Sequence, residues 1–263
     1  MNLPAAPFDL QRIRDETLVR TIDFHWELDS TNSQAIRILE EPAPTTPLLV
    51  LAETQTHGRG RGQNRWWSAS GALTCTLVLP LKNLPADRLP QISLTTGLAV
   101  CQAIEGFAPQ ADLGIKWPND VCLDGRKLAG ILIELPPSRP PHAAIGIGIN
   151  VNNSFADAPD ELAETGVSLR DALELEVDRT EVLIACLRQF ERRWDQLRRQ
   201  AVDLVDQWRA YHILQDQPVA VDTYNSLVQG VCRGIDRHGA LLVETGDGLQ
   251  RLLGGTVRAP HLP

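Results

Sequence analysis

The sequence predicts an α/β domain with a small antiparallel barrel attached at its C-terminal end. Three observations predict it. Residues 21–106 alternate between strand-like and helix-like patterns, and Ile115–Asn150 reads as a run of strands. From Val219 to Val257 the chain gives short alternating runs punctuated by glycines at 230, 234, 239, 246, 248, 254 and 255. A chain of 263 residues, 43% hydrophobic and 22% charged, has the material for a large core and is not a disordered chain. The pattern changes near Gln215, which places a larger domain at 1–214 and the barrel at 215–263.

Taken in order, residues 8–20 have weak helical spacing, and Thr21–Leu28 alternates as a strand does. Asp29-Ser30-Thr31-Asn32 supplies four consecutive N-cap residue types before the helical pattern Ala35, Ile36, Ile38, Leu39. The proline cluster at 42–47 ends that helix. Leu48–Ala52 reads as a buried strand, 54–71 as a long polar loop, and Leu73–Leu79 as another strand. A helix is expected over 86–106. Asp124-Gly125 fits a tight hairpin turn between Val121–Leu123 and Leu128–Leu135, and a Pro-rich loop at 136–141 leads to the strand Ala143–Asn150. Ser168 and Asp171 form a capping-box pair, and 180–208 carries the longest helical pattern, with Leu183, Leu187, Phe190, Trp194 and Leu197 on one face.

The net charge of −8 argues against broad binding to nucleic acid or acidic membranes. Five widely spaced cysteines with no C-x-x-C pair argue against a disulfide framework or a zinc knuckle and fit a reducing cytoplasm. No signal peptide or membrane-length apolar run is visible. Lysine occurs only at Lys82, Lys116 and Lys127, and arginine fills the other 22 of 25 basic positions. Coding bias accounts for that scarcity. Two of the three lysines nonetheless fall in the segment that carries the chemistry.

The loop Glu53–Ser68 contains Gly58-Arg59-Gly60-Arg61-Gly62, followed by Trp66-Trp67. Alternate glycines let backbone N–H groups approach a ligand, arginine forks suit phosphate or carboxylate, and the tryptophans offer a stacking surface. This fits a pocket for a nucleotide or an acyl phosphate; a nucleic-acid contact or a solvated loop fits the same residues. Lys116-Trp-Pro-Asn-Asp120 is followed by Gly125-Arg-Lys-Leu-Ala-Gly130. If 113–116 and 128–135 are neighbouring strands, Lys116 and Lys127 reach one cleft, where two ammoniums call for an anion between them. Asn119 and Asp120 are oxygen donors suited to Mg²⁺, or simply turn residues. Gly146-Ile-Gly148-Ile-Asn150 is a strand whose glycines admit close approach to its backbone.

These motifs, in this order, together with Asp29-Ser-Thr-Asn32, resemble the biotin–protein ligases over nearly the whole chain from about residue 21. The resemblance implies an α+β fold: a mixed β-sheet flanked by helices, like that of class II aminoacyl-tRNA synthetases, with a small C-terminal SH3-like barrel. It implies a biotin–[acetyl-CoA-carboxylase] ligase that uses ATP, biotin and Mg²⁺, forms biotinyl-5′-AMP, and biotinylates a lysine of a biotin carboxyl carrier domain. Ser30, Thr31, Asn32 and Gln55, with backbone at Gly58 and Gly130, are then biotin-binding. Arg59, Gly60 and Arg61 wrap the biotin carboxylate and the phosphate, and Lys127 sits at their junction. Trp66 and Asn150 address adenine, while Lys116, Asn119 and Asp120 serve the ATP phosphates, Mg²⁺ or the second step. The catalytic set is Lys127, Arg59, Arg61, Lys116 and Asp120.

The chain departs from the longer Gly-Arg-Gly-Arg-Arg-Gly-Arg version at Gly62-Gln63-Asn64-Arg65, which bears on how the loop orders around an adenylate. Only 28 residues precede Asp29, fewer than a winged helix-turn-helix needs, so no DNA-binding role is expected. A monomer or homodimer is expected. The rivals are a lipoate–protein ligase and a non-catalytic biotinyl-AMP-binding protein.

Overall fold

Two strands, the alternating Thr21–Leu28 and the more apolar Leu48–Gln55, lie parallel because a helix returns the chain between them, as a βαβ connection requires. The computed structural model describes residues 7–41, 44–82, 84–137, 141–199, 205–223 and 225–259. In chain order the elements are α1 (Leu10–Glu16), β1 (Thr21–Leu28), α2 (Thr31–Leu39), β2 (Leu48–Gln55), β3 (Leu73–Pro80) and α3 (Gln91–Ile104). There follow β4 (Leu113–Lys116), β5 (Asp120–Leu123), β6 (Arg126–Glu134), β7 (His142–Ile149), α4 (Asp160–Ala163) and α5 (Leu169–Leu173). The last are α6 (Arg179–Arg199), α7 (Val205–Tyr211), β8 (Pro218–Asp222), β9 (Leu227–Ile235), β10 (Leu241–Thr245), β11 (Gly248–Leu252) and β12 (Thr256–Arg258).

The chain divides into two compact units, one of Met1–Lys82, Gly130–Ser154 and Ser168–Glu191, the other of Asn83–Ala129, Phe155–Val167 and Arg192–Pro263. In the first, strand order is β1-β2-β3-β7-β6, with β1 parallel to β2 and β2-β3-β7 antiparallel, so the sheet is mixed. β3 and β7 are covered on both faces and therefore read as continuous apolar runs rather than alternating ones. Helix α2 lays Ala35 and Leu39 onto Leu48, Val50, Val78 and Ala144. Leu39→Ala in such packing typically costs about 2–5 kcal/mol.

In the second unit the order is β6-β5-β4. The region 113–116 is thus not beside 128–135. It pairs with β5, which lies between them, because the Trp117–Asn119 turn folds the chain straight back before the Asp124-Gly125 turn does so again. Asp124 and Gly125 both take positive φ, 49° and 75°, as the two-residue hairpin turn needs. The helix expected over 86–106 begins only at Gln91. Pro90 cannot donate the N–H that would continue the preceding 3₁₀ turn, Ala86–Arg88, into it. The long pattern at 180–208 appears as α6 and α7. Residues 200–204 lie outside the described residues, as do 42–43 and 138–140 of the two proline-rich segments.

Residues 218–258 form a five-stranded antiparallel sheet in the order β11-β10-β9-β8-β12. The short strands and glycine turns are where the alternation placed them, with β12 in addition. Among the described residues no helix is long and apolar enough to cross a membrane. All five cysteines are buried thiols outside any disulfide.

Candidate functional site

The first unit carries a polar row inside an apolar wall. Ser30 is the N-cap of α2, yet its hydroxyl makes no cap hydrogen bond. Its carbonyl accepts from Gln34 N, and Asp29 holds its N–H at 2.8 Å. Asp29 is itself gripped by both ends of the Arg37 guanidinium, which holds the Asp29 carboxyl down at about 2. Gln55, the last residue of β2, accepts from Thr31 N at 2.7 Å and lies 3.2 Å from the Thr31 hydroxyl. Thr76 on β3 donates to Asn32 Oδ1 at 2.6 Å, with Thr31 Oγ1 2.9 Å away. Asn32 Nδ2 donates to Glu134 Oε2 at 2.9 Å. Ser30, Thr31, Asn32 and Thr76 are all at most 4% exposed. Four buried polar side chains thus lie on adjoining elements of one unit, and Thr31, Asn32 and Thr76 satisfy one another together with Gln55 and Glu134.

The glycine-arginine loop is more ordered than its composition suggests. Gly60 N donates to Asn64 O, Asn64 N to Arg61 O, and Trp66 N to Gly58 O, with Arg59 and Arg65 in an isolated bridge. Gly62 sits at the tip with φ 62°, a conformation that favours glycine. Gly58 is pressed against the Trp66 carbonyl, where a Cβ has no room. The departure at Gly62-Gln63-Asn64-Arg65 therefore makes a small closed ladder. Arg59 projects from it and is forked on Glu134, at 2.7 and 3.0 Å. Arg61 is half-buried on the same ladder.

Gly146 and Gly148 share one face of β7, two residues apart. Over Gly146 lies the Asn32 amide and over Gly148 the Trp66 indole, each so near that a Cβ would overlap it. The expectation that these glycines admit close approach is met by those two side chains. Trp66 Nε1 is buried without a hydrogen-bond partner. Asn150, just past β7 and 4% exposed, accepts from Asn153 Nδ2 at 3.1 Å, and its carbonyl accepts from Leu169 N.

In the second unit Lys116 ends β4 directly opposite Asp120, which opens β5. Lys127 reaches Asp120 Oδ1 from β6 at 2.8 Å. The anion that two neighbouring ammoniums require is thus supplied by the chain itself. Burial pushes the Lys116 ammonium below its ordinary range; Asp120 opposes that shift and Lys127 adds to it. Asn119 lies in the turn between β4 and β5, its N–H bonded to Lys116 O. Backbone bonds to Thr165 and Val167 hold Lys127 in place. Gly130 stands three residues further along β6 and is half-buried. Among the described residues no group of three or more His, Cys, Asp or Glu could hold a metal ion.

Sequence reading missed four contributors. Thr76 is legible as one of two threonines, with Thr74, in a largely apolar strand, and Glu134 as a carboxylate near the end of the apolar run Leu128–Leu135. Arg179 spans the base of the loop, donating to Ala72 O and pairing with Glu53 at 2.9 Å, with both partners largely buried. Trp117, 2% exposed, donates its indole N–H to Gly239 O at 2.9 Å. No local pattern marks either of these long-range pairings.

Two family models match the chain: the biotin/lipoate A/B protein ligase family over residues 27–152, and the biotin protein ligase C-terminal domain over residues 216–258. The biotin–[acetyl-CoA-carboxylase] ligase of Paracoccus denitrificans is 36% identical over 230 residues, covering 84% of this chain and 93% of its own length. The chain belongs to the biotin protein ligase family. The bifunctional ligase/repressor BirA of Bacillus subtilis is 34% identical over 244 residues, 91% of this chain and 74% of the relative. Among biotin protein ligases of known structure, that of Aquifex aeolicus in complex with biotin and ATP superposes with a TM-score of 0.81. It is 26% identical and covers 91% of this chain and 99% of its own. The mixed sheet and C-terminal antiparallel sheet thus match the biotin protein ligase fold.

Proposed function

We infer that this chain is an ATP-dependent biotin–protein ligase. It activates biotin as biotinyl-5′-AMP with release of pyrophosphate, then passes the biotinyl group to a lysine of a biotin carboxyl carrier domain of a carboxylase. The observation that carries this reading is the row Gln55–Thr31–Thr76–Asn32, buried at Thr31, Thr76 and Asn32 and half-buried at Gln55, which offers donors and acceptors to a ureido group that needs both. Ser30, Thr31, Asn32 and Gln55, with backbone at Gly58 and Gly130, take the ureido ring. Arg59, Gly60 and Arg61 take the carboxylate and the α-phosphate. Trp66 and Asn150 take adenine, and Lys116, Asn119, Asp120 and Lys127 take the phosphates.

The carboxylate nucleophile is already ionised at pH 7, so the first step needs no base. Its difficulty is that one anion must approach another in line. Arg59, Arg61 and Lys127 lower that barrier, each such donor being typically worth about 10²–10³ in rate. A compact ammonium suits a position between two anions better than a guanidinium does. Asp120 and Asn119 would be the protein oxygens for a Mg²⁺ bound with the nucleotide, which would supply further neutralisation of the phosphates; one or two carboxylates plus phosphate is its usual set. In the second step the acceptor ammonium must lose a proton. Asp120 serves there as a counter-ion, because Lys127 already holds its oxygen.

The catalytic domain is read as 1–214, with class II synthetase-like topology, and 215–263 as an SH3-like barrel. The match over 216–258 and the five-stranded antiparallel sheet support this. Five buried free thiols support a cytoplasmic setting. The test is ATP–pyrophosphate exchange with each acid in turn. Exchange with biotin and none with lipoate is expected; the reverse would make the chain a lipoate ligase.

A further inference from the structure

Glu134, the last residue of β6, joins two residues of the acid-binding pocket through one carboxylate. Its Oε2 accepts from Asn32 Nδ2 at 2.9 Å and from Arg59 Nη1 at 3.0 Å, and its Oε1 accepts from Arg59 Nη2 at 2.7 Å. Two oxygens on one guanidinium fork is the geometry by which arginine grips a free carboxylate. The fork that would hold the substrate acid is therefore engaged by an acid of the chain.

We propose that Glu134 is an exchangeable counter-ion, so that a substrate carboxylate must displace it from Arg59 in order to bind. This rests on the biotin reading of the pocket. The pair lies at the solvent edge, with side chains 42% and 22% exposed, so separating it lacks the large penalty of parting a buried pair. The backbone that carries Arg59 is tied on both sides, Gly58 to Trp66 and Gly60 to Asn64, which leaves the side chain as the moving part. When Arg59 departs, Glu134 keeps its bond to Asn32, whose own carbonyl is held by Thr76, and so it is not stranded. An acid whose ring is already seated competes at high effective concentration and wins. Glu134 is thus a specificity-determining residue.

Glu134→Gln keeps the shape and the acceptor for Asn32 but removes the charge. Calorimetric titration of the full chain with biotin, and with the alcohol that replaces its carboxylate, reads the exchange directly. The variant is expected to bind biotin about fivefold more tightly, the scale of one exposed ion pair, and to bind the alcohol as the parent does. Glu134→Asp, with a shortened reach to Arg59, is expected to show a smaller gain and guards against a folding defect in the first variant. Unchanged or weakened biotin binding, or equal shifts for acid and alcohol, would overturn the proposal. A parent chain that binds neither ligand would instead overturn the biotin reading.

Discussion

Asp120 stands directly opposite Lys116 across β4–β5 and pairs with Lys127 through Oδ1 at 2.8 Å, so two ammoniums share one carboxylate. Removing either kind of partner disturbs the phosphate-side chemistry in a different way. On the proposed role of Lys127 between carboxylate and phosphate, Lys127→Ala is expected to lower adenylate formation by about 10²-fold or more. Biotin-dependent ATP–pyrophosphate exchange measures it; exchange near the parent rate would contradict the role.

Asp120→Asn leaves the two lysines facing each other with no anion between them. Adenylate formation is expected to suffer, while single-turnover transfer from preformed biotinyl-5′-AMP falls by less than the roughly 10²-fold that loss of a general base costs. Normal adenylation with abolished transfer would make Asp120 the base.

The two glycines of β7 lie under different side chains of the proposed site. Gly146→Ala drives a methyl group into the Asn32 amide, and Gly148→Ala drives one into the Trp66 indole. The first is expected to raise the KM for biotin by about tenfold and spare ATP, and the second to do the opposite; each figure corresponds to about 1.4 kcal/mol of lost binding, of the order of one hydrogen-bonded or packed contact. Steady-state kinetics with each substrate varied in turn checks the split.

These assignments show how far the sequence reached. Strand β1, helix α2 and the small C-terminal strands follow from alternation and caps, and β2, β3 and β7 from short apolar runs, because each is a local pattern. The motif residues around Ser30, Arg59, Lys116 and Lys127 are legible as closely spaced glycines, polar groups and basic residues. What was not visible depends on distant partners. The interposition of β5 between β4 and β6 is a matter of topology. The contacts Glu134–Arg59, Trp117–Gly239 and Arg179–Glu53 span from 75 to 126 residues and leave no local periodicity. Pro90, by contrast, was in plain view and should have moved the start of α3.

His212 is 8% exposed, its ring 3.4 Å from Cys232 Sγ, and burial lowers its pKa to about 4 from 6.5. The folded protein thus keeps it neutral while the unfolded chain protonates it, so its contribution to stability is full above about pH 6.5 and is lost as pH falls toward 4. About 2 kcal/mol of unfolding free energy is expected to disappear between pH 7.5 and 5. Urea unfolding across that range checks it, and His212→Gln should flatten the dependence.

Intact-mass analysis of a biotin carboxyl carrier domain incubated with this protein, biotin, ATP and Mg²⁺ tests the central claim. The account predicts a gain of one biotinyl group on the carrier, dependent on ATP and absent with lipoate. A carrier of unchanged mass beside a chain that binds biotinyl-5′-AMP would contradict it.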